Sequence, residues 1–494
     1  MRLRGRHFLC AVLCAALAAC ATTPRAPDPD AERTAIAARL MRDIEVLASD
    51  EFGGRKPGTV GEERTVAYLV ERMRETGLVS GTNDPGSAWR APVELVSTTP
   101  LESRITVRTR RGAFEMPQES SAAYAFARRA LIDGVEVVFV GRGTQDIPAS
   151  ELNGKIVVKL QDGQFPGPRA ALFEADPAAM LVVVPSEREL EAERLRYEQE
   201  KLFLASEESD RLIAFVTQEA FARALPPGLW DRLLAEAAKE DFRIRRMEAT
   251  IAIDAQSRRR EFTSFNVIGM IPGQLRGAGA VVLMSHWDHL GECAPGTPDP
   301  ICNGAVDNAS GVALMLELAR RLKASGPFDR DIYFLSTSAE EAGLLGARAF
   351  AAAPPMPLDT IVAAFNFDTV AAAQPGGAFG FVGEGRTSLD AVVLDVLRER
   401  RGELGNRDFA ESFLRRHDGW VLLEKGVPSV LISTAFASEI VLGPYLAADY
   451  HRPSDEIDRI ELGGAIDDLL LHEELVRRVA STARYPGAVA AVAQ

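Results

Sequence analysis

Cysteine and histidine are scarce in this sequence, with five and six among 494 residues. Once Cys10, Cys14 and Cys20 near the N-terminus are set aside, only Cys293 and Cys302 remain, so a four-cysteine metal site cannot be built. Basic side chains are outnumbered, 56 to 70, for a formal net charge of -14. That balance excludes a duplex nucleic-acid binder, which needs Lys and Arg to neutralise phosphates. Past the first twenty residues no run approaches eighteen consecutive apolar positions, so the body has no expected membrane span. Residues 95–245 contain no histidine and no cluster of catalytic side chains. What is present is globular in composition, 47% hydrophobic and 26% charged, and the length is ample for two or three domains.

The N-terminus reads as a processing signal. Arg2, Arg4 and Arg6 precede a short apolar core, Phe8 to Ala19, which Leu17-Ala18-Ala19-Cys20 closes. The core is too short for a comfortable bilayer span and suits a cleaved leader. It resembles a bacterial lipoprotein signal, with Cys20 as the lipidated first residue of the mature chain; a plain secretory signal cut at a nearby Ala-x-Ala site is the alternative. The expected location is the cell envelope, as a periplasm-facing outer-membrane lipoprotein of a Gram-negative-type bacterium or free in the periplasm. Membrane attachment is expected only through the lipidated end. An export compartment permits oxidation, so Cys293 and Cys302 are expected to form a disulfide, with two free loop thiols as the alternative.

The chain divides into a leader (1–19), a Pro-bearing tether (20–30), a first part of a catalytic domain (31–94), an insert (95–245) and the main catalytic domain (246–494). Ile36, Leu40, Ile44 and Leu47 recur at helical spacing, as do Val66, Leu69, Val70 and Met73 ahead of Gly77. In the middle, Ile105–Thr109, Val135–Phe139, Lys155–Lys159 and Met180–Val184 read as short strands. After Phe262 strands alternate with helices: strands at Gly279–Ser285, Asp331–Ser336 and Thr360–Phe367, helices at Val312–Leu322, Leu344–Phe350 and Leu389–Arg398. The fold class is therefore α/β, a mostly parallel mixed sheet covered by helices on both faces, with a β-rich insert.

Polar residues gather where such a sheet binds ligands, beyond the carboxyl ends of its strands. His286-Trp287-Asp288-His289 follows the most apolar strand. Asp307 sits in a Gly-bearing loop ahead of a helix, where it could simply cap that helix or supply two oxygens to cations. Glu340-Glu341 follows the next strand; one glutamate can face a metal and its neighbour a water. Asp368 follows a third strand, and His451 lies in a late polar loop. Mixed nitrogen and oxygen donors converging on one crevice are compatible with zinc.

His286-Trp287-Asp288, Gly304 to Gly311, Glu340-Glu341-Ala342-Gly343-Leu344-Leu345-Gly346, Asp368 and Tyr450-His451 together resemble the M28 family of zinc metallopeptidases. The likeness covers about residues 30–90 and 258–480. The insert sits where many relatives carry a protease-associated domain, and Leu152 to Val158 is similar to a stretch of that domain. The resemblance implies two zinc ions per chain: His286 and Asp368 on one, Glu341 and His451 on the other, Asp307 bridging. It implies Glu340 as the catalytic carboxylate and Asp288 as the outer partner of His286. His289 receives no ligand role and reads as a satisfied histidine behind the ligands or in the loop, with lining the pocket as the alternative; His417 and His472 read as surface or structural residues.

The implied activity is removal of N-terminal residues from peptide substrates. A carboxypeptidase, dipeptidase or glutaminyl cyclase of the same fold stays open, as do another metal-dependent hydrolase and a non-catalytic envelope binding protein. The sequence leaves the oligomeric state open.

Overall fold

The computed structural model describes residues 29–144, 146–161, 172–207 and 211–486. The leader, the tether as far as residue 28 and the proposed lipidation residue Cys20 lie outside the described residues. No helix among the described residues is long and apolar enough to cross a membrane.

Among the described residues the main sheet has eleven strands, of which seven form its spine: β1 (Arg90–Thr109), β2 (Thr250–Ile271), β3 (Ala280–His286), β4 (Asp331–Thr337), β5 (Ile361–Asn366), β6 (Gly380–Val382) and β7 (Ser429–Ser433), in the order β6-β7-β5-β3-β4-β2-β1. The four central strands β7, β5, β3 and β4 are parallel, and antiparallel strands flank them on either side. β3 lies in the middle, every residue buried, which is why its sequence is continuously apolar instead of alternating.

Alternate β3 side chains point to opposite faces. Val281 and Leu283 join the core formed with helices α1 (Pro29–Leu47), α2 (Val60–Glu75), α3 (Ser310–Ser325), α5 (Leu389–Arg400) and α6 (Leu462–Val479). Val282 and Met284 join a second core with α4 (Leu345–Ala352) and Leu422. Both faces are covered, and the expected α/β architecture holds with helix and strand ends shifted by a few residues.

The alternation of polar and apolar residues in β1 and β2 hides their length. They are 20 and 22 residues long and pair antiparallel from Arg90–Val267 to Arg108–Thr250 with one register shift near Ala255. β1 runs through position 95 without a break. Between β1 and β2 the chain forms a second, six-stranded sheet, in which Val137–Phe139, Ile156–Leu160, Ala179–Val184 and Leu212–Thr217 are parallel neighbours. This middle unit packs around two apolar clusters, one of them shared with Ile105 and Val107 of β1 and Ile251 and Ile253 of β2, and carries helices such as Glu187–Tyr197 and Leu229–Ala237. It also sends the strand Lys201–Leu204 back to pair with Leu95–Thr98 of β1, and Leu204 packs with Leu95, Ala339 and Leu345.

Candidate metal centre

Because β3, β4 and β5 are parallel, their carboxyl ends lie at one edge, with His286 beside Thr337 and Met284 beside Asn366. The loops leaving that edge bring the expected residues together.

His286 is the last residue of β3 and is 2% exposed. Its Nε2 lies 3.3 Å from Asp307 Oδ1, 3.6 Å from Asp368 Oδ1 and 4.0 Å from Glu340 Oε2. Its Nδ1 faces the backbone carbonyl of Asp288 at 3.1 Å; the Asp288 carboxylate is farther, at 3.8 Å. On the other side of Asp307, Oδ2 lies 3.3 Å from His451 Nε2, which is 2.9 Å from Glu341 Oε2. His289 Nδ1 lies 2.7 Å from Glu341 Oε1. Two groups of donors result, each able to gather round one cation: His286, Asp307 and Asp368, and His289, Asp307 and Glu341. They share Asp307.

The loops hold these side chains by specific means. Gly304 has φ +57°, and a Cβ there would meet Asp307 O at 2.1 Å and the His289 ring at 2.6 Å, so the loop closes only with glycine. The Asp455 carboxylate accepts the backbone N–H groups of Val306 and Asp307 and the hydroxyl of Tyr445. Asn308 ties three segments: its Nδ2 donates to Ser285 Oγ and Phe367 O, and its Oδ1 accepts from Gly311 and Thr369. Asp288 accepts the backbone N–H of Glu340 at 3.0 Å and of Glu341 at 3.4 Å. The Tyr450 ring stacks on His451 at 3.8 Å.

Charge in the centre is strongly perturbed. Burial pulls the His286 imidazolium down, but Glu340, Asp307 and Asp368 outweigh it and raise its pKa well above the usual value. His451 is likewise depressed by burial and raised by Asp307 and Glu341, to about 10. Burial pushes Asp307 up, yet His286 and His451 hold it well below the usual carboxylate range. Glu341 is lowered, because His289 and His451 offset burial and Asp307. Burial drives Glu340 well above the usual range and Asp288 to about 7. These imidazoles thus stand in for positive charge that the carboxylates require.

Cys293 and Cys302 are disulfide-bonded, Cα to Cα 5.7 Å, in the segment between His289 and Asp307. His289 is satisfied by Glu341 at 2.7 Å, as expected of a histidine behind the ligands, and it also lies close enough to Asp307 and Glu341 to count as a donor itself. His417 and His472 are buried, 3% and 0% exposed, so the surface alternative falls and the structural one stands. His417 lines the cavity beside His286 and Glu340.

Residues 266–469 match the model described as Peptidase family M28. That M28 region contains every residue of the two donor groups. Over 101 residues, 20% of this chain, the sequence is 39% identical to Aminopeptidase YwaD of Bacillus subtilis (strain 168); the aligned stretch spans 19% of that relative. Among solved structures, an aminopeptidase from Aneurinibacillus sp. strain AM-1 aligns over 90% of this chain and 94% of its own, with 20% identity and a TM-score of 0.56. The M28 region therefore has M28 homology, and the chain shares its overall fold with that aminopeptidase.

Proposed function

We propose that the protein is a two-zinc exopeptidase that removes N-terminal residues from peptides. The observation that carries this reading is Asp307, whose two oxygens face two different imidazoles at 3.3 Å each, an arrangement in which one carboxylate could serve two cations. The donors fit the metal: the set is mixed imidazole and carboxylate. Moreover, His451 Nε2 points between the Asp307 and Glu341 carboxylates, at 3.3 and 2.9 Å, without an aligned hydrogen bond to either. His286 and Asp368 would hold one zinc, Glu341 and His451 the other, with His289 orienting Glu341 through the 2.7 Å contact.

Zinc bound there supplies Lewis-acid polarisation of the scissile carbonyl and a more acidic water. Glu340, whose Oε2 lies 4.0 Å from His286 Nε2, would take a proton from the attacking water and return it to the departing amine. Asp288 fixes the turn that carries Glu340 and Glu341. The adjoining cavity is walled by Phe413, Leu431, Phe436, Leu442 and Tyr450 and suits an apolar substrate side chain. Arg416 also lines it, and this guanidinium favours a second reading, a dipeptidase or carboxypeptidase that pairs with a substrate carboxylate.

The test is metal analysis joined to a panel of amino-blocked and carboxyl-blocked peptides. Two zinc per chain, chelator-sensitive and zinc-restored hydrolysis, and intolerance of amino blocking are expected. Absence of zinc and of hydrolysis would favour a non-catalytic envelope protein, and intolerance of carboxyl blocking the second reading. We further propose that the unit between β1 and β2, which the 95–245 boundaries overran into β1, is protease-associated-like, supported by the Leu152 to Val158 run leading into the Ile156–Leu160 strand. The Cys20 signal supports a lipid-anchored envelope protein.

A further inference from the structure

Arg55 lies in the turn between α1 and α2, far in sequence from every proposed ligand, and is 1% exposed. Its guanidinium donates only to backbone carbonyls: Nε to Trp287 O at 2.9 Å, Nη1 to Leu47 O at 2.8 Å and Asn303 O at 2.5 Å, and Nη2 to Gly304 O at 2.9 Å. Trp287 sits between His286 and Asp288, and Asn303-Gly304 leads into Asp307. One side chain therefore holds the loop that carries His286 and the loop that carries Asp307, the residue shared by both positions.

The turn is shaped for this. Gly53, Gly54 and Arg55 all have positive φ, +53°, +62° and +48°, a conformation that disfavours arginine and persists only where the surroundings enforce it. A Cβ on Gly54 would meet Cys302 O at 2.5 Å and Gly291 Cα at 2.7 Å, so the turn presses directly on the disulfide hairpin. Burial pulls the Arg55 pKa down to about 10, while Asp455, Asp307, Asp288 and Glu341 support its charge from a distance. Its charge is thus balanced by the site's carboxylates, and its fork geometry by loop carbonyls that a lysine could not satisfy together.

We infer that Arg55 is a positioning residue that preforms the metal centre by fixing the His286 and Asp307 loops from below. The inference rests on the two-metal reading. A matched control exists: Arg330, also 1% exposed, donates to four backbone carbonyls, of Ala278, Val479, Tyr485 and Pro486. It stands just before β4, at the opposite edge of the sheet.

The experiment compares the parental protein with R55K and R330K, using zinc affinity by chelator competition, zinc stoichiometry and thermal melting. The expected result is a loss of zinc affinity of about tenfold or more in R55K, while R330K melts earlier but keeps the parental affinity. Parental affinity in R55K, or equal losses in both variants, overturns the inference. A second measurement needs no variant: proton exchange at the Arg55 guanidinium of the zinc-free parental protein, read by NMR, should find the Nε–H that donates to Trp287 O protected, and rapid exchange there overturns it as well. A parental protein that takes up no zinc overturns the two-metal reading itself, which separates the two failures.

Discussion

Asp288 Oδ1 accepts the backbone N–H of Glu340 at 3.0 Å. With Oδ2 taking the N–H of Glu341, one carboxylate spans the turn between the proposed base and its neighbouring ligand, although the sequence pairs Asp288 with His286. Substituting Asp288 by Asn removes one acceptor and points an amide donor at an N–H. A buried unpaired donor costs about 1–3 kcal/mol. D288N should therefore lose stability and, by releasing Glu340, lower kcat by tens-fold or more with a smaller effect on KM. Steady-state kinetics beside a melting curve checks this; an unchanged kcat would return Asp288 to a purely structural role.

Glu340 and Asp307 should separate cleanly. E340Q keeps the shape and removes proton transfer, so turnover should fall by about 100-fold or more while both zinc ions remain. D307N should weaken zinc at both positions, because in the proposed reading each oxygen would serve a different one. Metal analysis on the two purified variants, read beside their rates, decides between these outcomes.

Zinc affinity should rise with pH. His286 and His451 are raised above their usual values, His451 to about 10, so in the zinc-free protein both hold protons at pH 7. Those protons must leave before the nitrogens can donate to a metal. Calorimetry in buffers of different ionisation enthalpy should find proton release on zinc binding. For the zinc-free fold the sign is opposite. The His451 contribution is complete below its unfolded value near 6.5 and is lost as pH climbs through about 10. Melting of the zinc-free protein should fall over that window, and less so in H451Q.

Removing the Cys293–Cys302 bond should loosen both the hairpin and the loop that Arg55 grips. A bond closing so short a loop contributes about 2–3 kcal/mol in the chain-entropy picture. A C293S/C302S protein should melt earlier and release zinc to a chelator faster than the oxidised parent. Non-reducing mass analysis of the parent should find no free thiol in this pair.

The order β3, His286, then Asp307, Glu340-Glu341 and Asp368 was legible because apolar runs mark central strands and charged residues just past them mark the sheet's working edge. Arg55 was not legible: a buried arginine bonded to carbonyls looks in sequence like any surface arginine. Asp455 and Asn308 were hidden for the same reason, since their partners are backbone groups that carry no residue signature. β1 and β2 escaped because Arg258-Arg259-Arg260 and similar polar stretches interrupt the apolar pattern although they stay paired, Arg258 to Arg260 with Ser97 to Thr99.

The strand Lys201–Leu204 gives the middle unit a share in the ground beneath Glu340. Leu204 helps seat Ala339, the residue immediately before that glutamate. Excising the insert by joining β1 to β2 would leave Leu95 and Leu345 without their cover. The shortened enzyme would then be poorer in rate as well as in solubility, because the floor under its base would be exposed to water.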